Sequence, residues 1–260
     1  MKRQINTLYV DLYRAFGSIE FLTAVFGVCI VYYIGAWSEI KFASDILYLF
    51  RYSSTSSTFY LLLVFVSVLP YTTCFCSDWN NEFIKPAMIR TGIREYCFSK
   101  VIACSLSSGC AYSSGIIMFL LTLKPWYTLV SPSAGNYQFY ATKTLGGSFL
   151  LNGQYYKYFI VYILLGFFAG ALWSTAGLLV SAFIPDKFVA LCSPFIIYYM
   201  LNIATMSFPV WLRLNRITEG MCIIGGTFFS LCYAAILFIT FISIIGLAFN
   251  WAVKRRLANG

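Results

Sequence analysis

The residues with the most chemical character sit in one polar stretch, Ser77-Asp-Trp-Asn-Asn-Glu-Phe-Ile-Lys-Pro-Ala-Met-Ile-Arg-Thr-Gly-Ile-Arg-Glu-Tyr-Cys-Phe-Ser-Lys100. Asp78 and Glu82 are four apart, the spacing of one helical face, and Trp79 and Phe83 fall on the neighbouring stripe. Pro86 interrupts the helix, Thr91-Gly92 makes a turn, and Tyr96 and Phe98 lead onward. Acidic groups beside aromatic anchors suit docking to a protein partner rather than bond-making. An ordinary connecting loop is the plainer reading of the same residues.

Other chemistry is thin. The chain has no histidine, which removes the commonest general base. Its nine cysteines lie mostly inside apolar runs with no CxxC pair, and they read as small buried hydrophobes. Cys74 and Cys76 form a lone CxC, too weak a signal for a metal site. No Gly-x-x-x-x-Gly-Lys-Ser/Thr is present, so no phosphate-cradling loop is encoded. The Gly146-Gly147 and Gly225-Gly226 pairs read as turns. Neither enzymatic activity, a cofactor nor a metal is expected in this chain.

The elements that position the polar stretch follow from composition. Of 260 residues, 60% are hydrophobic and only 10% charged. Soluble domains carry about a quarter charged residues, so this chain cannot cover a water-facing surface, and it reads as an all-α integral membrane protein with one domain. The net charge of +9 does not point to nucleic acid. The basic residues flank apolar runs, as they do on the cytoplasmic face of a membrane protein facing anionic lipid.

Six runs approach the roughly 20 residues needed to span a bilayer, near 19–37, 59–76, 101–123, 158–184, 188–206 and 227–250. The first run reads as a span rather than a removable signal. The second is the shortest and contains Pro70. With both termini in the cytoplasm of a plasma-membrane protein, the inner segments hold eleven Lys and Arg against six in the outer loops, the positive-inside pattern. Residues 38–58 and 124–157 are then outer loops. The semi-apolar 207–226 reads either as a re-entrant hairpin or as an ordinary outer loop with aromatic anchors.

Within residues 1–18, Ile5, Leu8, Tyr9, Leu12, Tyr13 and Phe16 follow the spacing of one helical face, predicting an amphipathic helix lying at the headgroup level. Only Glu20 falls inside a predicted span, at its cytoplasmic end. Spans without other charges argue against proton coupling, so energy for any uphill transport would arrive from another chain. Small residues at four-residue steps, Ser105-x-x-x-Gly109-x-x-x-Ser113 and Gly166-x-x-x-Gly170-x-x-x-Ser174, allow close helix approach, either within the chain or between two copies. Tyr32, Tyr33, Tyr60, Phe65, Tyr198, Tyr199 and Met200 are candidates for a translocation path adapted to amphipathic cargo; interfacial aromatic belts are the plainer reading of the same tyrosines.

The order Glu82, Arg90-Thr-Gly-Ile-Arg94, Ser99-Lys100 between a second and third span resembles the cytoplasmic loop of ABC type-2 transporter permeases. The flat N-terminal helix, six spans and semi-apolar last outer loop are also similar to that family. Where the family often has Gly-Thr after the acidic residue, this chain has Phe83-Ile84-Lys85-Pro86. The resemblance implies that residues 77–100 form a coupling loop docking on a separate ATP-hydrolysing subunit, with two ATPases and two permeases per transporter. It implies contact with the ATPase through Asp78, Trp79, Glu82, Phe83, Arg90 and Arg94, with Arg90, Arg94 and Lys100 anchored at headgroups or at the ATPase. ATP and magnesium would be held by that partner. The expected activity is export of an amphipathic peptide such as a toxin, bacteriocin or antimicrobial peptide. The alternatives are a lipid or drug exporter, a non-transporting immunity or sensor module, and a sodium-coupled carrier.

Overall fold

The structure, a computed structural model, describes residues 2–55 and 57–259. In chain order the helices are α1 (Lys2–Phe16), α2 (Ile19–Ala36), α3 (Ile46–Thr55), α4 (Ser57–Ser67), α5 (Cys74–Asn80), α6 (Ile84–Thr91), α7 (Ile93–Leu123), α8 (Tyr137–Lys143), α9 (Gly147–Leu151), α10 (Tyr155–Phe183), α11 (Lys187–Ala204), α12 (Leu214–Thr218) and α13 (Thr227–Asn259). A 3-10 turn covers Val210–Leu212, and no strand occurs among the described residues. Among the described residues five helices, α2, α7, α10, α11 and α13, are long and apolar enough to cross a membrane.

Helices α7 and α10 form the centre of the bundle. Helix α2 lies against α7, while α11 and α13 lie against α10. The α7–α10 approach depends on missing side chains. A Cβ at Gly166 would fall 2.7 Å from Ile116 and Tyr112, one at Gly109 2.7 Å from the Phe167 ring, and one at Gly170 2.8 Å from the Ser108 carbonyl oxygen. Ser113 donates to the Ile163 carbonyl at 3.1 Å, and Ser174 to that of Cys104 at 3.4 Å. Both small-residue stripes are therefore used for packing within the chain.

Helix termini follow local chemistry. Ser18 caps α2 by accepting from the Phe21 amide at 3.1 Å. Asp186 caps α11, accepting from Phe188 and Val189 at 2.8 and 3.0 Å, which makes the α10–α11 turn as tight as its sequence predicts.

Three expectations are corrected. The run 59–76 is not one helix: α4 ends at Ser67, residues 68–73 turn, and α5 begins at Cys74. Pro70 has no amide to donate and its ring crowds the preceding turn. The segment 38–58 is not plain loop, because α3 lies within it and packs on α2, α4 and α7, with the Ile46 and Leu47 amides donating to the Thr128 and Leu129 carbonyls at 3.0 and 3.2 Å. Residues 124–157 likewise contain α8 and α9. Leu145 donates to the Gly220 carbonyl at 2.7 Å, so the three segments close one end of the bundle as a cap.

Helix α1 packs along α7, but with a shifted stripe. Asp11 and Ala15 are buried, while Tyr9, Tyr13 and Phe16 are exposed. The Ile5 side chain lies outside the described residues.

Candidate functional site

The end of the bundle carrying α1, α5, α6 and the α10–α11 turn holds a buried charge cluster. Lys100 stands about two turns into α7, 2% exposed. Its Nζ lies 2.9 Å from Asp11 Oδ1 on α1 and 2.9 Å from Asp78 Oδ2 on α5. Tyr71 donates to Asp11 Oδ1 and Tyr96 to Asp78 Oδ2, each at 2.7 Å, and Ser99 donates to Asp11 Oδ2. Lys100 also donates to the Tyr71 hydroxyl at 3.1 Å and lies 5.2 and 5.4 Å from the Tyr71 and Tyr96 ring centres. Every carboxylate oxygen named here has a donor, which is what lets charges persist away from water. The cluster ties α1, the 68–73 turn, α5 and α7 together at one corner.

A pocket of about 460 Å³ opens beside this corner, with Arg14, Glu20, Ser77, Asp78 and Lys100 among its lining. Glu20 is exposed and forms no ion pair among the described residues.

The six residues expected to meet a partner divide. Asp78 is turned inward onto Lys100. Trp79 is half-buried, with the Arg256 guanidinium 4.3 Å from its ring centre, and Arg256 donates to the Ala182 and Phe183 carbonyls. Glu82, Phe83, Arg90 and Arg94 are exposed. Lys100 is not an anchor at the surface; its Nζ is held by two carboxylates.

Asp78 and Glu82 do not share a helical face, because α5 stops between them. The Phe83 amide donates to the Asp78 carbonyl at 2.9 Å and the Glu82 amide to that of Trp79 at 3.1 Å. That pair of bonds is the Schellman closure, in which the residue at Glu82's position is usually glycine. Glu82 has φ +56, the one positive value at a non-glycine among the described residues. Beyond it α6 carries Ile89, 86% exposed.

The aromatic path candidates do not line one surface. Tyr32, Tyr60 and Tyr198 are buried in the core, with Tyr32 stacked on Phe50 at 5.6 Å and Tyr60 5.0 Å from Tyr198. Tyr33 and Phe65 are partly buried, and Tyr33 donates to Thr122 at 2.7 Å. Tyr199 and Met200 point outward.

Sequence reasoning missed Asp11, Tyr71 and Ser99 as members of the cluster. A signal was present: Asp11 lies three residues after Leu8 and four before Ala15, a lone acid on an apolar face. It also missed Arg51, which is fully buried in α3 at the opposite end. Comparison with protein-family models, with curated proteins and with solved structures returns no match to this chain.

Proposed function

We propose that this chain is the transmembrane permease subunit of an ATP-binding cassette exporter in the plasma membrane, with both termini cytoplasmic. The broken segment α4–α5 makes a sixth crossing. A separate subunit, in two copies, hydrolyses ATP, and a second permease copy or homologue completes the membrane part. The cargo is an amphipathic peptide; a lipid or drug is the alternative.

The observation that carries this reading is Glu82. An exposed acid occupies a left-handed corner that glycine fills at less cost, and outliers of this kind gather at functional surfaces. The corner is joined through α5 and Asp78 to the buried Lys100 of α7, so a push on Glu82, Phe83 or Ile89 is delivered to a central helix without slack. Exposed Tyr199 and Met200 on α11 support a path lined between two copies rather than through one.

The test is gentle purification of the tagged protein from its native membrane after crosslinking, followed by mass spectrometry. A stoichiometric P-loop ATPase, crosslinked to Ile89→Cys, supports the exporter. A reproducibly lone protein favours the immunity or sensor module or the carrier.

A further inference from the structure

Arg51 has 0% exposure at the capped end of the bundle. Its Nη1 donates to the Glu219 carbonyl at 2.8 Å. Its guanidinium lies 4.7 Å from the Tyr162 ring centre and 5.8 Å from that of Tyr140. The remaining edge, Nε and Nη2, has no hydrogen-bond partner among the described residues. That edge presents two parallel N–H groups, the fork with which arginine grips anions.

No ion pair reaches Arg51 among the described residues. Glu219 lines the same cavity, but its carboxylate is paired with Arg216 at 3.3 Å. Arg216 is 42% exposed and solvated, and no carboxylate reaches the Nε and Nη2 edge of the fully buried Arg51. A buried guanidinium edge with no acceptor is strongly unfavourable, so the arrangement calls for an acceptor there, and an anion best meets a charged donor.

A cavity of about 20 Å³ adjoins Arg51, and its lining includes Tyr32, Ser54, Tyr60, Tyr112, Tyr162 and Thr218. The Tyr60 hydroxyl is also buried and makes no hydrogen bond of normal geometry, although Thr218 and Trp173 stand near it. About 10–15 Å³ admits one water, so the space takes a single water-sized occupant and rejects phosphate or a peptide carboxylate. Water would accept from the fork but leave the charge. A monatomic anion does both.

We infer that this cavity binds one halide-sized anion, chloride in ordinary media, gripped by Nε and Nη2 of Arg51 and by the Tyr60 hydroxyl. Because Nη1 already holds the Glu219 carbonyl, the anion fastens α3 and α4 to the segment 207–226. The inference stands apart from the exporter reading.

The test is thermal unfolding of the full chain in detergent, with sodium chloride exchanged for sodium gluconate at constant ionic strength. Binding to the folded state alone raises Tm with ligand concentration. The expected result is a saturable rise with chloride, reproduced by bromide and absent in Arg51→Met. Should Arg51→Met not fold, Tyr60→Phe keeps the guanidinium and removes one donor, raising the chloride midpoint about fivefold. Equal Tm in chloride and gluconate would mean a water occupies the cavity and would overturn the inference. So would a chloride response that survives in folded Arg51→Met, or an unmoved midpoint in Tyr60→Phe.

Discussion

Lys100 Nζ lies 2.9 Å from Asp11 Oδ1 although 89 residues separate them, and the same ammonium lies 2.9 Å from Asp78. Two carboxylates thus share one cation, and the asymmetry has a measurable consequence. Lys100→Met leaves two buried acids with no counter-charge and is expected to cost about 3–5 kcal/mol. Asp11→Asn leaves a balanced Lys100–Asp78 pair and retains a side-chain oxygen for Tyr71 or Ser99. Its cost should be about 1–2 kcal/mol, that of weakened charged hydrogen bonds. Equal losses for the two variants in denaturant unfolding would show that the cluster does not carry the excess negative charge assigned to it.

Five of the six apolar runs became long helices, because a run of about 20 apolar residues leaves a chain little choice. The sixth failed at Pro70, where the local rule against proline overrode hydropathy. Helix α3 was not legible: its burial comes from packing on α2, α4 and α7, with Phe50 against Tyr32, Phe159 and Tyr162. The charge cluster escaped for the same reason. Helical spacing sees partners three or four residues away, so it joined Asp78 to Glu82, whereas the fold joins Asp78 to Lys100 and Lys100 to Asp11. The polar stretch 77–100 was legible as unusual, but which side of each residue faces inward was decided by the turn at Glu82.

The central packing makes a graded prediction for glycine. At Gly170 an added Cβ meets the backbone oxygen of Ser108 at 2.8 Å, and at Gly166 it meets side-chain tips of Ile116 and Tyr112 at 2.7 Å. Side chains yield more readily than backbone. Gly170→Ala is therefore expected to lose more than Gly166→Ala, within the roughly 1–3 kcal/mol of overpacked cores. Gly135→Ala, with nothing within 4 Å, should be near neutral. Thermal unfolding of the three variants gives the order directly, and a harmless Gly170→Ala would mean that α7 and α10 are not in contact as described.

Glu219 predicts a pH dependence outside the spans. Burial lifts its carboxyl above the ordinary 4.5, although Arg216 and Arg51 pull it the other way. A raised carboxyl binds its proton more tightly in the folded state. Its protonation therefore stabilises the fold at low pH, and that contribution is lost as pH rises from about 4.5 through the folded value. Glu219→Gln should flatten this part of the stability profile. An unchanged profile between wild type and variant would show that Glu219 is as well solvated folded as unfolded.

Glu82 separates stability from function. Its φ of +56 costs an L-residue roughly 1–2 kcal/mol, and glycine at this position of a Schellman closure avoids that cost. Glu82→Gly is therefore expected to raise stability, by about 1 kcal/mol after the extra chain entropy of glycine is set against the relieved strain. Glu82→Ala keeps the strain and removes the charge, so it should not gain. If the corner is where the ATPase pushes, both variants lose transport and cargo-stimulated ATP hydrolysis while assembly with the ATPase persists. A gain in Tm for Glu82→Gly accompanied by full coupled activity would leave the strained acid without a mechanical role. Loss of coupling in both variants, only one of them stabilised, would assign that role to the carboxylate itself rather than to the shape of the turn.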